Sequence, residues 1–250
     1  MASASNHGFG RGARAGFATT QWSLILSAAD PASPRWQQAL TQLCQLYWYP
    51  LYAFIRRQGH EASEAEDLTQ EFFLRLLEKG YLDAAGPEKG KFRTFLLVCL
   101  RRFLANQHDR RQAQKRGGQR RLVSIDLSSA ESRYQLEPAH HATPERVYER
   151  RWALALLDAV MQRLQREYAD RDKQVLFDQL KVLLVVDETP ARYADLASKL
   201  QLSEGAVKVA VHRLRKRFGQ LLAAEISRTL DGRSGLREEI NQLITALGQA

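Results

Sequence analysis

Two short amphipathic patterns separated by a tight turn occupy residues 193–218, and this arrangement constrains the fold more than any other part of the chain. In the first pattern, Leu196, Ala197 and Leu200 recur at one-turn intervals and share one face of a predicted helix. The second pattern has an apolar stripe made of Val207, Ala210, Val211 and Leu214. The spacing predicts a helix-turn-helix, whose second helix lies in the major groove of DNA.

The outer face of the second helix is basic and follows a predicted N-cap. The Ser203 hydroxyl can satisfy a free amide at the start of this helix, and no acid follows Glu204 before Phe218. In this geometry the N-terminal residues lie near base edges and the basic residues lie near phosphates. The DNA contacts predicted on this helix are Ser203, Glu204, Lys208, His212, Arg213, Arg215, Lys216 and Arg217. The alternative is a solvated basic helix on a helical bundle.

Gln201 occupies the turn between the two helices, at a position where such motifs usually carry Gly. A left-handed conformation would cost a Gln on the order of 1 kcal/mol. The turn is therefore either strained at Gln201 or built differently.

The charge balance indicates a polyanionic partner. The 250 residues include 37 Lys and Arg against 28 Asp and Glu, a formal net charge of +9. Because a helix-turn-helix is also predicted, nucleic acid is favoured over a membrane surface. No run approaches the roughly 18 to 20 apolar residues that span a bilayer, so we expect no membrane insertion.

Neither a metal nor a cofactor is expected. Cys44 and Cys99 fall inside apolar helical patterns, without a second thiol or a His pair at ligand spacing. We predict that both are buried and reduced in a cytoplasmic protein. The sequence also has no phosphate-binding Gly loop and no nucleophile beside a plausible base, so an enzyme is not predicted.

The chain is expected to be all-α, because period-3.6 patterns dominate and no β-alternation of any length occurs. Thr143 followed by Pro144 is a typical helix start. The predicted organisation is a disordered arm (1–18), a first helical domain (19–118), a linker (119–143), a helix-turn-helix domain (144–228) and a helical tail (229–250).

Four segments together resemble a known family: YPLYAFIRRQGH (49–60), AEDLTQEFFLRLLE (65–78), KFRTFLLVCLRRFLANQHDRR (91–111) and the helix-turn-helix. This combination is similar to bacterial RNA polymerase sigma factors of the extracytoplasmic-function group. The resemblance implies two helical domains, called region 2 and region 4, joined by a flexible linker.

The resemblance also implies the partners. The polar face of residues 65–78 would dock on the β′ clamp helices of core RNA polymerase, through Asp67, Gln70, Glu71 and Leu74. The helix matching residues 92–111 would recognise and melt the −10 element of promoter DNA, through Arg93, Arg101, Arg102, Asn106, Arg110 and Arg111. Residues 204–217 would read the −35 element. The resemblance leaves open an anti-sigma factor as a further partner.

Two other function classes remain open from the sequence. A stand-alone helix-turn-helix regulator would normally dimerise on a two-fold site, but it leaves the DLTQEFF motif unexplained. A basic helical RNA-binding protein leaves the helix-turn-helix unexplained.

Overall fold

A computed structural model describes ten parts of the chain: residues 25, 27–28, 30, 32–78, 82, 91–113, 128–135, 142–184, 189–227 and 235–248. The side chains of residues 78, 108–113 and 128–129 are outside this description. The predicted arm at residues 1–18 also lies outside the described residues, as do parts of the predicted linker and tail.

The described residues form helices and no strand, which confirms the all-α fold class. The α-helices are α1 (Trp36–Arg57), α2 (Ala62–Glu78), α3 (Phe92–Ala113), α4 (Ser128–Gln135), α5 (Pro144–Ala169), α6 (Gln174–Leu180), α7 (Pro190–Leu200), α8 (Glu204–Ser227) and α9 (Leu236–Gly248). A 3-10 turn, Lys181–Leu184, follows α6 directly.

The first hydrophobic core surrounds α1. Residues 46–55 of this helix are all buried, Pro50 among them, because α1 is covered on several sides. Helices α2 and α5 make the main contacts with α1, and the buried face of α3 completes the core. Leu68, Phe72 and Leu76 of α2 enter this core as the helical spacing predicts.

Helix α5 belongs to two cores. The Thr143 hydroxyl caps it by accepting a hydrogen bond from the Arg146 amide at 3.3 Å, which confirms the predicted start at Thr143–Pro144. Its first half buries Tyr148 and Trp152 against α1. Its second half buries Val160 and Leu164 among α6, α7 and α8. The helix-turn-helix and the α1 bundle are therefore joined through one continuous helix.

The second core forms the helix-turn-helix of α7 and α8. The Ser203 hydroxyl accepts a hydrogen bond from the Ala206 amide at 3.2 Å, as expected of the predicted cap. Gln201 has φ 54° and ψ 41°, so it adopts the left-handed conformation. The Leu202 amide donates to the Ala197 carbonyl at 3.0 Å and the Gln201 amide to the Ser198 carbonyl at 3.3 Å. This pair of bonds is the Schellman ending of a helix.

Replacement of Gln201 by Gly should slightly stabilise the protein. The substitution removes about 1 kcal/mol of left-handed strain, and the added entropy of Gly in the unfolded chain offsets part of this gain. Urea denaturation followed by circular dichroism measures the difference. Ala206→Gly is the control, since Ala206 lies inside α8 and Gly there should destabilise by roughly 0.5–1 kcal/mol. A loss of stability in Gln201→Gly would contradict the strained turn.

Candidate nucleic-acid interface

The N-terminal half of α8 presents a basic outer face. Val207, Val211 and Leu214 are buried, so the side chains between them point outward. Six of the residues predicted to contact DNA are exposed on α8 or just before it: Ser203, Glu204, Lys208, His212, Arg213 and Lys216. The Lys208 ammonium lies 5.5 Å from the centre of the Tyr193 ring. Four of the six exposed residues can carry positive charge on a surface open to a duplex.

Arg215 and Arg217 make contacts within the protein. The Arg217 guanidinium donates two hydrogen bonds to the Glu167 carboxylate, at 2.7 and 2.6 Å, and this bidentate contact lowers the pKa of Glu167. Arg215 donates to the Leu183 carbonyl through Nε at 3.1 Å. In this structure the two residues fasten α8 to α5 and to the 3-10 turn, and their DNA contacts stay a prediction.

A second polar face runs along α3. Arg101, Arg102 and Asn106 are exposed, as a DNA contact requires. The Arg101 guanidinium also forms an ion pair with Glu145 at the start of α5. Arg110 and Arg111 lie on the same helix, but their side chains are outside the described part of the chain.

Arg93 is buried in this conformation, unlike Arg101, Arg102 and Asn106, and its role as a DNA contact stays a prediction. Only 4% of its side chain is exposed. Its guanidinium lies 4.2 Å from the centre of the Trp152 ring and pairs with Glu149 at 2.8 Å and with Glu239. It also donates to Gln242 at 2.9 Å. Because α9 and α5 occupy all of these contacts, DNA has no access to Arg93 here.

The predicted polymerase-binding residues share one face of α2. Asp67 is exposed, while Gln70, Glu71 and Leu74 are half-buried. Their spacing of three, four and seven residues places them side by side along the helix. Glu71 pairs with Arg75 one turn further on, and the exposed carboxylate of the four is that of Asp67.

Helix α4 lies inside the predicted linker and was not expected. Its Glu131 carboxylate pairs with the Arg56 guanidinium at 2.8 Å and accepts a hydrogen bond from the Tyr52 hydroxyl at 2.5 Å. The Arg56 hydrogen bond holds the pKa of Glu131 below its ordinary value. The partners are separated by 75 and 79 residues, so no local sequence pattern could reveal them.

A cleft of about 610 Å³ lies beside the exposed face of α3. Its lining comes from the end of α1, the start of α2 and α3, and it includes Gln58, His60, Glu64, Leu68, Arg101 and Gln107. His60 pairs with Glu64 through Nδ1 at 3.1 Å. Among the described residues no group of three His, Cys, Asp or Glu side chains could hold a metal ion.

The two cysteines are free thiols. Cys44 is buried, as predicted, whereas Cys99 is only half-buried, so the predicted burial is wrong for Cys99. Burial raises the pKa of the Cys44 thiol to about 11 and also raises the pKa of Cys99. Both therefore stay protonated near neutral pH.

A family model described as Sigma-70 region 2 matches residues 46–114. These residues comprise most of α1 and all of α2 and α3, including the exposed faces of α2 and α3 described above. This segment of the chain is therefore similar to region 2 of the sigma-70 family. No curated protein and no solved structure matched the chain.

The described helices do not meet the requirements of a membrane span. None of them combines the length and the apolar character needed to cross a bilayer. The helix-turn-helix of α7 and α8 lies outside the residues matched to sigma-70 region 2.

Proposed function

We propose that the chain is a sigma factor of the extracytoplasmic-function group, which docks on the β′ clamp helices of core RNA polymerase and directs it to promoters in the cytoplasm. The observation that carries the proposal is the presence, in one chain, of a sigma-70 region 2 and an exposed basic recognition helix. A stand-alone regulator needs only the second of these. No catalytic role is proposed.

Helix α2 supplies the polymerase-binding face. Its apolar stripe is buried in the first core, and Asp67 and Gln70 on the other side are not among the buried residues of that core. Asp67 extends into solvent and Gln70 lies one turn away. Polar groups at such positions can contribute to an interface without being needed for the fold.

Removal of both polar groups should weaken the association with polymerase and leave the fold intact. We expect Asp67→Ala with Gln70→Ala to cost about 1 kcal/mol or more for each side chain, and therefore at least about a tenfold loss of affinity. Titration of fluorescent protein against bacterial core RNA polymerase measures the loss, and circular dichroism checks the fold.

The matched control is Asp158→Ala with Gln162→Ala. These residues also combine an acid with an amide, and both are exposed on α5. The control should bind like the wild type. Equal affinities for the test and control variants would reject the α2 contact, and no affinity in the wild type would reject the sigma-factor assignment.

DNA would be contacted at two places. The exposed side chains of α8 would enter the major groove of the −35 element, with Lys208, His212, Arg213 and Lys216 available on the outer face. Arg101, Arg102 and Asn106 of α3 would meet the −10 element. An unpaired base held by stacking and cation contacts gains about 1–3 kcal/mol, comparable with opening one base-pair step. The cleft beside Arg101 provides a polar recess next to this strand.

Loss of the exposed cations on α8 should weaken promoter binding. Lys208→Ala and Arg213→Ala are each expected to cost about 1–3 kcal/mol if the side chain reads a base, and less if it meets a phosphate. A phosphate contact also reduces the slope of log affinity against log salt by about 1. Binding of the polymerase complex to promoter DNA, measured at several salt concentrations, separates the two cases.

The matched control is Arg171→Ala with Lys173→Ala. It also removes one Arg and one Lys, but from the exposed turn between α5 and α6. This control should lower affinity less than the recognition-helix pair. If Lys208→Ala with Arg213→Ala leaves promoter binding unchanged while the fold is intact, α8 does not read DNA.

A further inference from the structure

Helix α9 packs between two units of the molecule, the α1 bundle and the helix-turn-helix. Leu243 is 3% exposed, and α9 contacts both α5 and the C-terminal part of α8. Leu236, Ile240 and Leu247 pack against the first core. The helix therefore joins the α1 bundle to the helix-turn-helix in addition to the connection through α5.

A buried carboxylate fixes the position of α9. Glu239 is fully buried, and its carboxylate pairs with the Lys91 ammonium at 2.5 Å and with the Arg93 guanidinium. One turn later, Gln242 accepts hydrogen bonds from both of these cations. A buried charge is tolerated only when opposite charges and hydrogen bonds surround it. The site on α3 therefore selects an acidic residue in this one register of α9.

The arrangement keeps the two DNA-contacting units close together. Helix α5 has 26 residues and is about 39 Å long, and both cores lie along it. Elements centred at −10 and −35 are about 25 base pairs apart, which is about 85 Å at roughly 3.4 Å per pair. The units cannot reach both elements while the first half of α5 and α9 stay packed on the α1 bundle.

We propose that α9 is an autoinhibitory latch, in which Glu239 holds Lys91 and Arg93 and keeps the molecule closed until core polymerase binds. The closed state covers Arg93, a residue at the start of the α3 face that would meet the −10 element. Release of α9 frees this cation from Glu239 and Gln242, leaves its contacts with Glu149 and Trp152 of α5, and removes one of the two connections between the α1 bundle and the helix-turn-helix. The inhibitory effect rests on the proposed sigma-factor function, whereas the latch contact itself does not.

Hydrogen exchange of the full chain tests the latch without polymerase. In Glu239→Gln, amides of residues 236–248 should exchange at least about tenfold faster than in the wild type, since the carboxylate no longer balances two cations. Glu238→Gln is the control, because Glu238 is the exposed neighbouring acid, and its hydrogen bond from Gln242 lies within α9. That variant should retain wild-type protection. Equal protection of α9 in Glu239→Gln and in the wild type would overturn the latch.

The affinity for core RNA polymerase tests inhibition. A latch that leaves about a tenth of the molecules open lowers the apparent affinity about tenfold, so Glu239→Gln should bind up to about tenfold more tightly. A chain ending at residue 234 should behave in the same way, and circular dichroism checks that both variants remain folded. Faster exchange with unchanged affinity would overturn inhibition alone. If Glu239→Gln speeds the exchange of α9 but no variant binds polymerase, the sigma-factor assignment and the inhibitory role are rejected. The contact of Glu239 with Lys91 and Arg93 would still stand.

Discussion

Trp152→Ala is expected to lower the free energy of unfolding by about 3–5 kcal/mol, the range for removal of a buried Trp. The side chain is 1% exposed and fills the first core between α5 and α1. The Arg93 guanidinium lies over its ring, so the substitution also removes a cation–π contact in a desolvated place. Urea denaturation followed by circular dichroism measures the loss.

Trp36→Ala is the appropriate control for this substitution. Trp36 begins α1 and is only half-buried, so its removal should cost clearly less. A loss below about 1 kcal/mol for Trp152→Ala would show that the first half of α5 does not pack on α1 in solution. The two units would then be separate bodies rather than parts of one closed molecule.

The helix-turn-helix could be predicted because its determinants are local. The apolar spacing in α8 places Val207, Val211 and Leu214 in the core, and the Ser203 cap follows from its position before the helix. The same holds for the start of α5 at Thr143 and Pro144. The left-handed conformation of Gln201 was one of two alternatives that the sequence left open. Gly is usual at this position of the motif, and Gly adopts the left-handed conformation readily.

The contacts of the arginines could not be predicted in the same way. Arg93, Arg101 and Arg217 look alike in the sequence, since each lies in a basic amphipathic helix. Their surroundings are set by residues 44 to 149 positions away, including Glu145, Glu167 and Gln242. Whether a basic residue forms a buried ion pair depends on tertiary packing. A basic residue on a helix can therefore equally face DNA or fasten two helices.

Helix α4 and the shared helix α5 show the same limit for domain boundaries. The eight residues of α4 carry too weak a pattern to predict a helix, and the contact of Glu131 with Tyr52 and Arg56 holds them on α1. Helix α5 looks like the start of a second domain in the sequence, yet five of its seven buried side chains belong to the first core. Sequence periodicity finds a helix but not which bundle buries it.

Arg93→Ala should destabilise the protein by about 3–5 kcal/mol, the cost of leaving a buried charge without its partner. The substitution leaves the fully buried Glu239 carboxylate with Lys91 as its remaining cation, and it removes the pair with Glu149. Arg101→Ala is the matched control on the same helix. Arg101 is about half exposed and its ion pair with Glu145 lies at the surface, so its loss should cost about 0–1 kcal/mol.

A double-mutant cycle with Glu239→Ala assigns this cost to the contact between α3 and α9. Once Glu239 is absent, Arg93→Ala no longer leaves a buried carboxylate uncompensated. The two substitutions together should therefore cost less than the sum of their separate costs, with an interaction energy of about 1–3 kcal/mol. Urea denaturation of the wild type and the three variants gives all four stabilities. Additive losses would mean that Arg93 is buried for its contacts with Trp152 and Glu149 alone, and that α9 is held by apolar packing rather than by charge.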